Sequence, residues 1–215
     1  YRHIDLSIIN AEQLKSQIVN ATGIFDKYKI KFHGFRAPYL KNNDKLPGEL
    51  ARTQRFLYDS SKAVFVGNSF NPGLRNLKWI SNFYGPAGFS KETALPKFKN
   101  GLWEVPVILP DDEILLDRVR LAAGEILLVW KNILRVCQEN KSPFIMQLHP
   151  ERILDLASVL TEFIDYARNT YPKVSFITLS DLIRQLGPGE IKDLSWAVCI
   201  TGDIDSLSLR DFLLR

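Results

Sequence analysis

A distorted TIM-like (β/α) barrel is the fold class that this 215-residue chain predicts, and three observations predict it. Strand-like and helix-like stretches alternate along the whole length, which implies parallel βα units. Two strand-like stretches, 143–148 and 195–201, are apolar runs of the kind found in a parallel sheet covered on both faces. No glycine-rich phosphate turn follows any strand, which weakens the alternative of an open doubly wound sheet.

Taken in order, the elements follow from local pattern. Residues 10–28 read as a helix with Leu14, Ile18, Ala21 and Phe25 on one face. Residues 31–35 form a short strand that runs into Arg36-Ala37-Pro38-Tyr39. Residues 47–57 are helical, with Pro47 in the first turn. Residues 63–66 read as a short strand. Residues 67–101 are rich in Gly and Pro, and a loop of that length is usually functional. Residues 102–109 read as one extended stretch, 115–139 as one long amphipathic helix, and 143–148 as a strand. A helix over 151–171, a strand over 174–178 and a helix over 180–186 follow. Gly187-Pro188-Gly189 breaks the chain before the strand 195–201 and a last helix, 206–214. The expectation is one domain over 1–215, with 187–194 as a linker.

Composition bounds the rest. Hydrophobic residues make up 46% and charged residues 24%, which excludes a disordered chain. No apolar run is long enough to span a bilayer. The only methionine is Met146, so Tyr1 reads as a processed or internal start. Net charge is +4, unevenly spread: residues 1–100 hold 16 Lys and Arg against 7 Asp and Glu. A basic half attracts anionic partners, but the lysines are scattered and no nucleic-acid motif is present. The reading is therefore a solvated surface, no nucleic-acid partner and no membrane span. Cys137 and Cys199 read as small core residues. The compartment is left open between cytoplasm and cell envelope.

In a parallel barrel the chemistry sits at the C-terminal ends of the strands. Polar residues expected there are Arg36, Glu104, His149, Asp203 and Asp205, with His3 at the chain start. Each alone has a bland explanation: Asp203 and Asp205 as a helix cap, His149-Pro150 as a helix start. Together they suit metal-assisted hydrolysis. A divalent metal such as zinc takes His nitrogens and a carboxylate and keeps one position open for water. A second carboxylate takes the water proton, an arginine holds that carboxylate ionised, and a distant His protonates the leaving group. His33 reads as structural or surface.

The motifs then resemble a family. Arg36-Ala37-Pro38-Tyr39 resembles the R-x-P-Y motif of NodB-type polysaccharide deacetylases, carbohydrate esterase family 4. Tyr58-Asp59-Ser60-Ser61, Trp103-Glu104-Val105-Pro106, Leu148-His149-Pro150 and Phe176-Ile177-Thr178-Leu179 resemble later segments of that family, in order. Thr201-Gly202-Asp203-Ile204-Asp205 is similar to a T-H-D-V-D form of its first motif, and Tyr1 to Ser7 to the tail of its paired-histidine motif. The order departs from the family: the Asp motif comes last, and the first His of the pair would precede Tyr1. A circular permutation, a second tandem copy, or fragments of a longer chain each fit. The permuted arrangement, completing one site, is the favoured expectation.

The resemblance implies a hydrolase acting on carbon–nitrogen bonds other than peptide bonds, with a glycan or amino-sugar substrate and zinc as the metal. It implies Asp203 as general base, Asp205 and His3 as metal ligands, Arg36 as partner of the base and His149 as general acid. Tyr39 would supply a backbone N–H to the oxyanion, and Trp103 and Glu104 would line the sugar subsite. Trp103 is equally well read as core packing. Two alternatives stay open: a metal-independent C–N hydrolase of the same fold, and an inactive glycan-binding module.

Overall fold

The computed structural model describes residues 4–66, 88–90, 95–187 and 193–203, with 88–90 described by their backbone. The expected helix 206–214 and most of the expected loop segment lie outside these residues.

Helix α1 spans Ala11–Lys27, and its start is written locally. The Asn10 side chain accepts from the Gln13 N–H, and the Gln13 side chain accepts from the Asn10 N–H. Leu14 and Ile18 are buried on its inner face against α2 (Leu46–Thr53). Gln54, in the left-handed region, ends α2 four residues before Tyr58.

Ten strands follow in three sheets: β1 (Gly34–Phe35), β2 (Tyr58–Asp59), β3 (Ala63–Val66), β4 (Gly88–Ser90), β5 (Lys97–Lys99), β6 (Leu102–Glu104), β7 (Val107–Leu109), β8 (Phe144–Leu148), β9 (Ser175–Phe176) and β10 (Ala197–Gly202). Their orders are β1-β2-β6-β5, β4-β3-β7 and β8-β10-β9. All pairings are parallel except β5 with β6. The fold is α/β. Among the described residues the strands form three separate sheets, not the closed ring expected above. Short ladders account for the difference. One extended stretch, 102–109, serves two sheets, because Val105 donates to Asp59 O and Val107 donates to Lys62 O on either side of Pro106, which has no N–H to give.

The long helix expected over 115–139 is also interrupted. A single wide turn, Ile114–Arg118, follows Asp111, whose carboxylate caps the Ile114 N–H at 3.0 Å. Arg120 takes a left-handed conformation, and α3 (Ala123–Glu139) restarts with the Glu125 carboxylate on the Ala122 N–H. Helices α4 (Ile153–Thr170) and α5 (Leu179–Gln185) complete the described fold. None of these helices is long and apolar enough to cross a membrane.

The core is layered around β8 and β10. Phe144, Met146 and Leu148 face Trp130, Ile133 and Phe163 of α3 and α4. Ile145 and Cys199 face the other way, onto Trp103, Val105 and Leu182 of α5. Both free cysteines are buried, as expected, and burial pushes each thiol up to about 12.

Candidate functional site

The strand that ends in Asp203 does not pack away from the rest. β10 lies between β8 and β9, in register from Val198 on Phe144 to Gly202 on Leu148. The Asp203 N–H continues this ladder by donating to Leu148 O at 2.9 Å. Asp203 and His149 therefore sit at the ends of neighbouring parallel strands.

Arg36 reaches the same place from β1. Its Nη1 donates to Thr201 Oγ1 at 2.9 Å, its Nη2 to Ser60 Oγ at 3.0 Å and its Nε to Ser60 O at 3.3 Å. Thr201 in turn donates to Met146 O. The guanidinium is half-buried, and desolvation draws it below its ordinary value, opposed first by the charge of Asp203 and then by Tyr58, Asp59 and Asp111. It stays protonated at any working pH. Arg36 and Asp203 line one cleft of about 320 Å³, walled also by Tyr58, Ser60, Ser180 and Thr201. Gly34 forms its floor because the Tyr58 ring lies against it: a Cβ there would come 2.0 Å from the ring.

Beside the cleft, His149 is locked. Asp112 holds it with both oxygens, one on the backbone N–H at 2.7 Å and one on Nδ1 at 2.6 Å. The His and Asp side chains are 2% and 0% exposed. With Nδ1 donating to Asp112, the imidazole is held in one orientation. Asp111 stands behind the pair and accepts a long bond from Gln147 Nε2 at 3.4 Å. Burial raises its carboxyl to about 7, against the Ile114 N–H and His149, which lower it, while Asp112 and Glu113 add to the rise. Across the cluster, burial raises Asp59 to about 6 although Ser61 donates to it from both N–H and Oγ. Ser61 Oγ also accepts from the Ala37 N–H, which ties the Arg36 loop to β2.

Asp111 and Asp112 were not among the expected site residues. The signal that finds them is the strand-end rule already used for Arg36 and His149: they directly follow Leu109 and Pro110 at the end of β7.

The other expected residues are scattered. Tyr39 lies two residues beyond Ala37, exposed and left-handed at φ 57°. Trp103 is 6% exposed and packs in the core against Phe98 and Ile145, a correction to its assignment to a sugar subsite. Leu102 and Trp103 are both buried, in the clusters on either side of β6. Glu104 stays partly exposed, ion-paired with Lys62 at 3.0 Å and close to Asp59. His33, read as surface, contacts Arg184 and Ser180 on α5. His3 and Asp205, the expected metal ligands, lie outside the described residues. The nearest described stretch to His3, residues 5–9, is tied to the loop after β1 by the Asp5–Lys41 pair and by Asn43 donating to Leu6 O and Ile9 O. Among the described residues no group of three or more His, Cys, Asp or Glu is arranged to hold a metal ion, so this part of the site does not by itself fit one.

The arrangement can orient a cation beside a carboxylate in an open cleft and hold a fixed imidazole at the neighbouring strand end. Comparison with known proteins adds no name to this geometry: no family model matches the chain, and neither a curated protein nor a solved structure matches it significantly.

Proposed function

We propose that the protein is a hydrolase that removes an N-acetyl or other N-acyl group from an amino sugar of a glycan, on a distorted TIM-like barrel whose strand order is permuted. The observation that carries this reading is the meeting of Arg36 and Asp203 in one open cleft at the ends of parallel strands, with the buried Asp112–His149 pair at the neighbouring strand end. In this reading Asp203 takes a proton from water as the water oxygen attacks the acyl carbon. Arg36, held by Ser60 and Thr201, places its positive charge in the same cleft as that carboxylate. His149, with Asp112 stabilising its imidazolium, gives a proton to the nitrogen as the C–N bond breaks. The products are a carboxylic acid and a free amine. The Tyr39 backbone and Glu104 keep their proposed places at the oxyanion and the sugar subsite. Zinc, on His3 and Asp205, would supply Lewis acidity toward the carbonyl.

Two measurements test this. Amine release from an N-acetylated glycan oligomer should be lost in Asp203→Asn with the fold retained by circular dichroism. Calorimetric titration with zinc should show binding that falls on His3→Ala. Amine release with no metal binding would move the reading to a metal-independent C–N hydrolase. Glycan binding without amine release would leave a binding module, and absence of all three would sink the proposal.

A further inference from the structure

We propose that the protruding end of α1, residues 24–31, is a docking surface for an anionic phospholipid bilayer. The segment from Gly23 to Lys31 is exposed throughout. It carries four large apolar side chains that the fold leaves in water: Ile24 at 42% exposure, Phe25 at 37%, Tyr28 at 64% and Ile30 at 50%. A single exposed apolar residue is ordinary; four within seven positions form a patch.

Local geometry makes the patch convex. Lys29 is left-handed at φ 55°, its N–H returns to Asp26 O, and the Ile30 N–H returns to Phe25 O at 2.8 Å. This paired closure ends the helix in a compact knob. Lys27, Lys29 and Lys31 are exposed and interleave with the apolar residues, and the Lys27 ammonium lies 5.5 Å from the Tyr28 ring centre. The one acid in the segment, Asp26, is bound to Arg55 through both oxygens and leaves the lysines' charge in place. Beside the knob lies a cavity of about 390 Å³ lined by Lys29, Lys31, His33, the Asp26–Arg55 pair and three apolar side chains. The knob belongs to the half of the chain with the positive excess noted above.

Charge and shape select the occupant. Exposed apolar side chains enter the headgroup boundary of a bilayer by about 5–10 Å. Tyrosine favours that depth, and lysines around it meet anionic headgroups. An acidic helical peptide would need a long apolar groove; the apolar hollow beside the patch, lined by Ile24, Phe25, Phe35 and Phe56, is about 270 Å³, and Tyr28 and Ile30 lie outside it. The proposal does not depend on the hydrolase reading.

Co-sedimentation with vesicles tests it, using phosphatidylcholine alone and phosphatidylcholine mixed with phosphatidylserine. The protein should pellet with the mixed vesicles, not with phosphatidylcholine alone, and binding should weaken as salt is raised. K27E/K29E/K31E should lower the partition by about a hundredfold or more, because each lysine near an anionic surface multiplies it several-fold. Tyr28→Ser with Ile30→Ser should lower it about tenfold. K97E/K99E, on exposed β5, should leave it unchanged; circular dichroism checks that every variant is folded. No binding of the unaltered protein to the mixed vesicles overturns the proposal, as does an equal loss in K97E/K99E. Binding that survives Tyr28→Ser/Ile30→Ser and is competed by a soluble acidic peptide assigns the face to a protein partner and overturns it too.

Discussion

Two strand ends hold their charged groups in opposite ways. At the end of β8, His149 and Asp112 form a buried pair, with each carboxylate oxygen accepting from the histidine and one also from the Glu113 N–H. At the end of β1, Arg36 is held by neutral oxygens of Ser60 and Thr201, and its carboxylate neighbours act only through the field. The first arrangement spends its charge on orientation. The second fixes the position of a cation and leaves its charge available to Asp203 in the open cleft. A strand end that looks like one polar cluster in the sequence is thus divided into a locked imidazole and an oriented, uncommitted guanidinium.

Breaking the buried pair should have the largest effect. Asp112→Ala leaves the His149 N–H and Nδ1 without their carboxylate in a buried site, at a cost of about 3–5 kcal/mol. Urea denaturation measures it, and a cost no larger than that of an exposed substitution would show that the pair is not formed. The pH dependence of stability comes next. Burial raises Asp59 to about 6 and Asp111 to about 7 from 3.8, so the folded chain holds protons that the unfolded chain has released. Their contribution is present in full below pH 3.8 and is lost as pH rises to about 6 and about 7 respectively. For one such group the loss is on the order of 3 kcal/mol. Urea midpoints taken across that range should fall, and fall less in Asp111→Asn; an equal fall in that variant removes Asp111 from the account. The open side should be cheaper to disturb. Thr201→Val deletes one bond to Arg36 and one to Met146 O and should cost about 1–2 kcal/mol. Arg36→Lys should lose more amine release than stability, because an ammonium cannot reproduce the three-point hold on Ser60 and Thr201.

How much of this was legible depends on how local the cause is. Helix α1 is readable to within a residue, because Asn10, Gln13, Leu14 and Ile18 carry its cap and its buried face within nine positions. The helix expected over 115–139 keeps its apolar period across 119–122, yet the chain breaks there. The deciding partners are Asp111 at one end and Glu125 at the other, and periodicity does not register caps inside a continuous pattern. Arg36, His149 and Asp203 were found by the strand-end rule. Asp111 and Asp112 follow the stretch 102–109 at its end and fall under the same rule, but only the fold shows that Asp112 meets His149. Trp103 shows the reverse failure: an aromatic beside a strand-end Glu suggests a sugar platform, and only packing shows that its ring belongs to the core.

By itself the sequence determined the alternation of helices and strands, the burial of both cysteines and the residue types available at the strand ends, since each depends on neighbours a few positions apart. Only the tertiary structure decided which strand ends meet. The Arg36–Thr201 bond joins residues 165 positions apart, and the Asp112–His149 pair joins residues 37 apart. Such pairings are set by the register of β10 between β8 and β9 and by the packing of three short sheets. No local spacing encodes that register, because many strand orders satisfy the same apolar pattern.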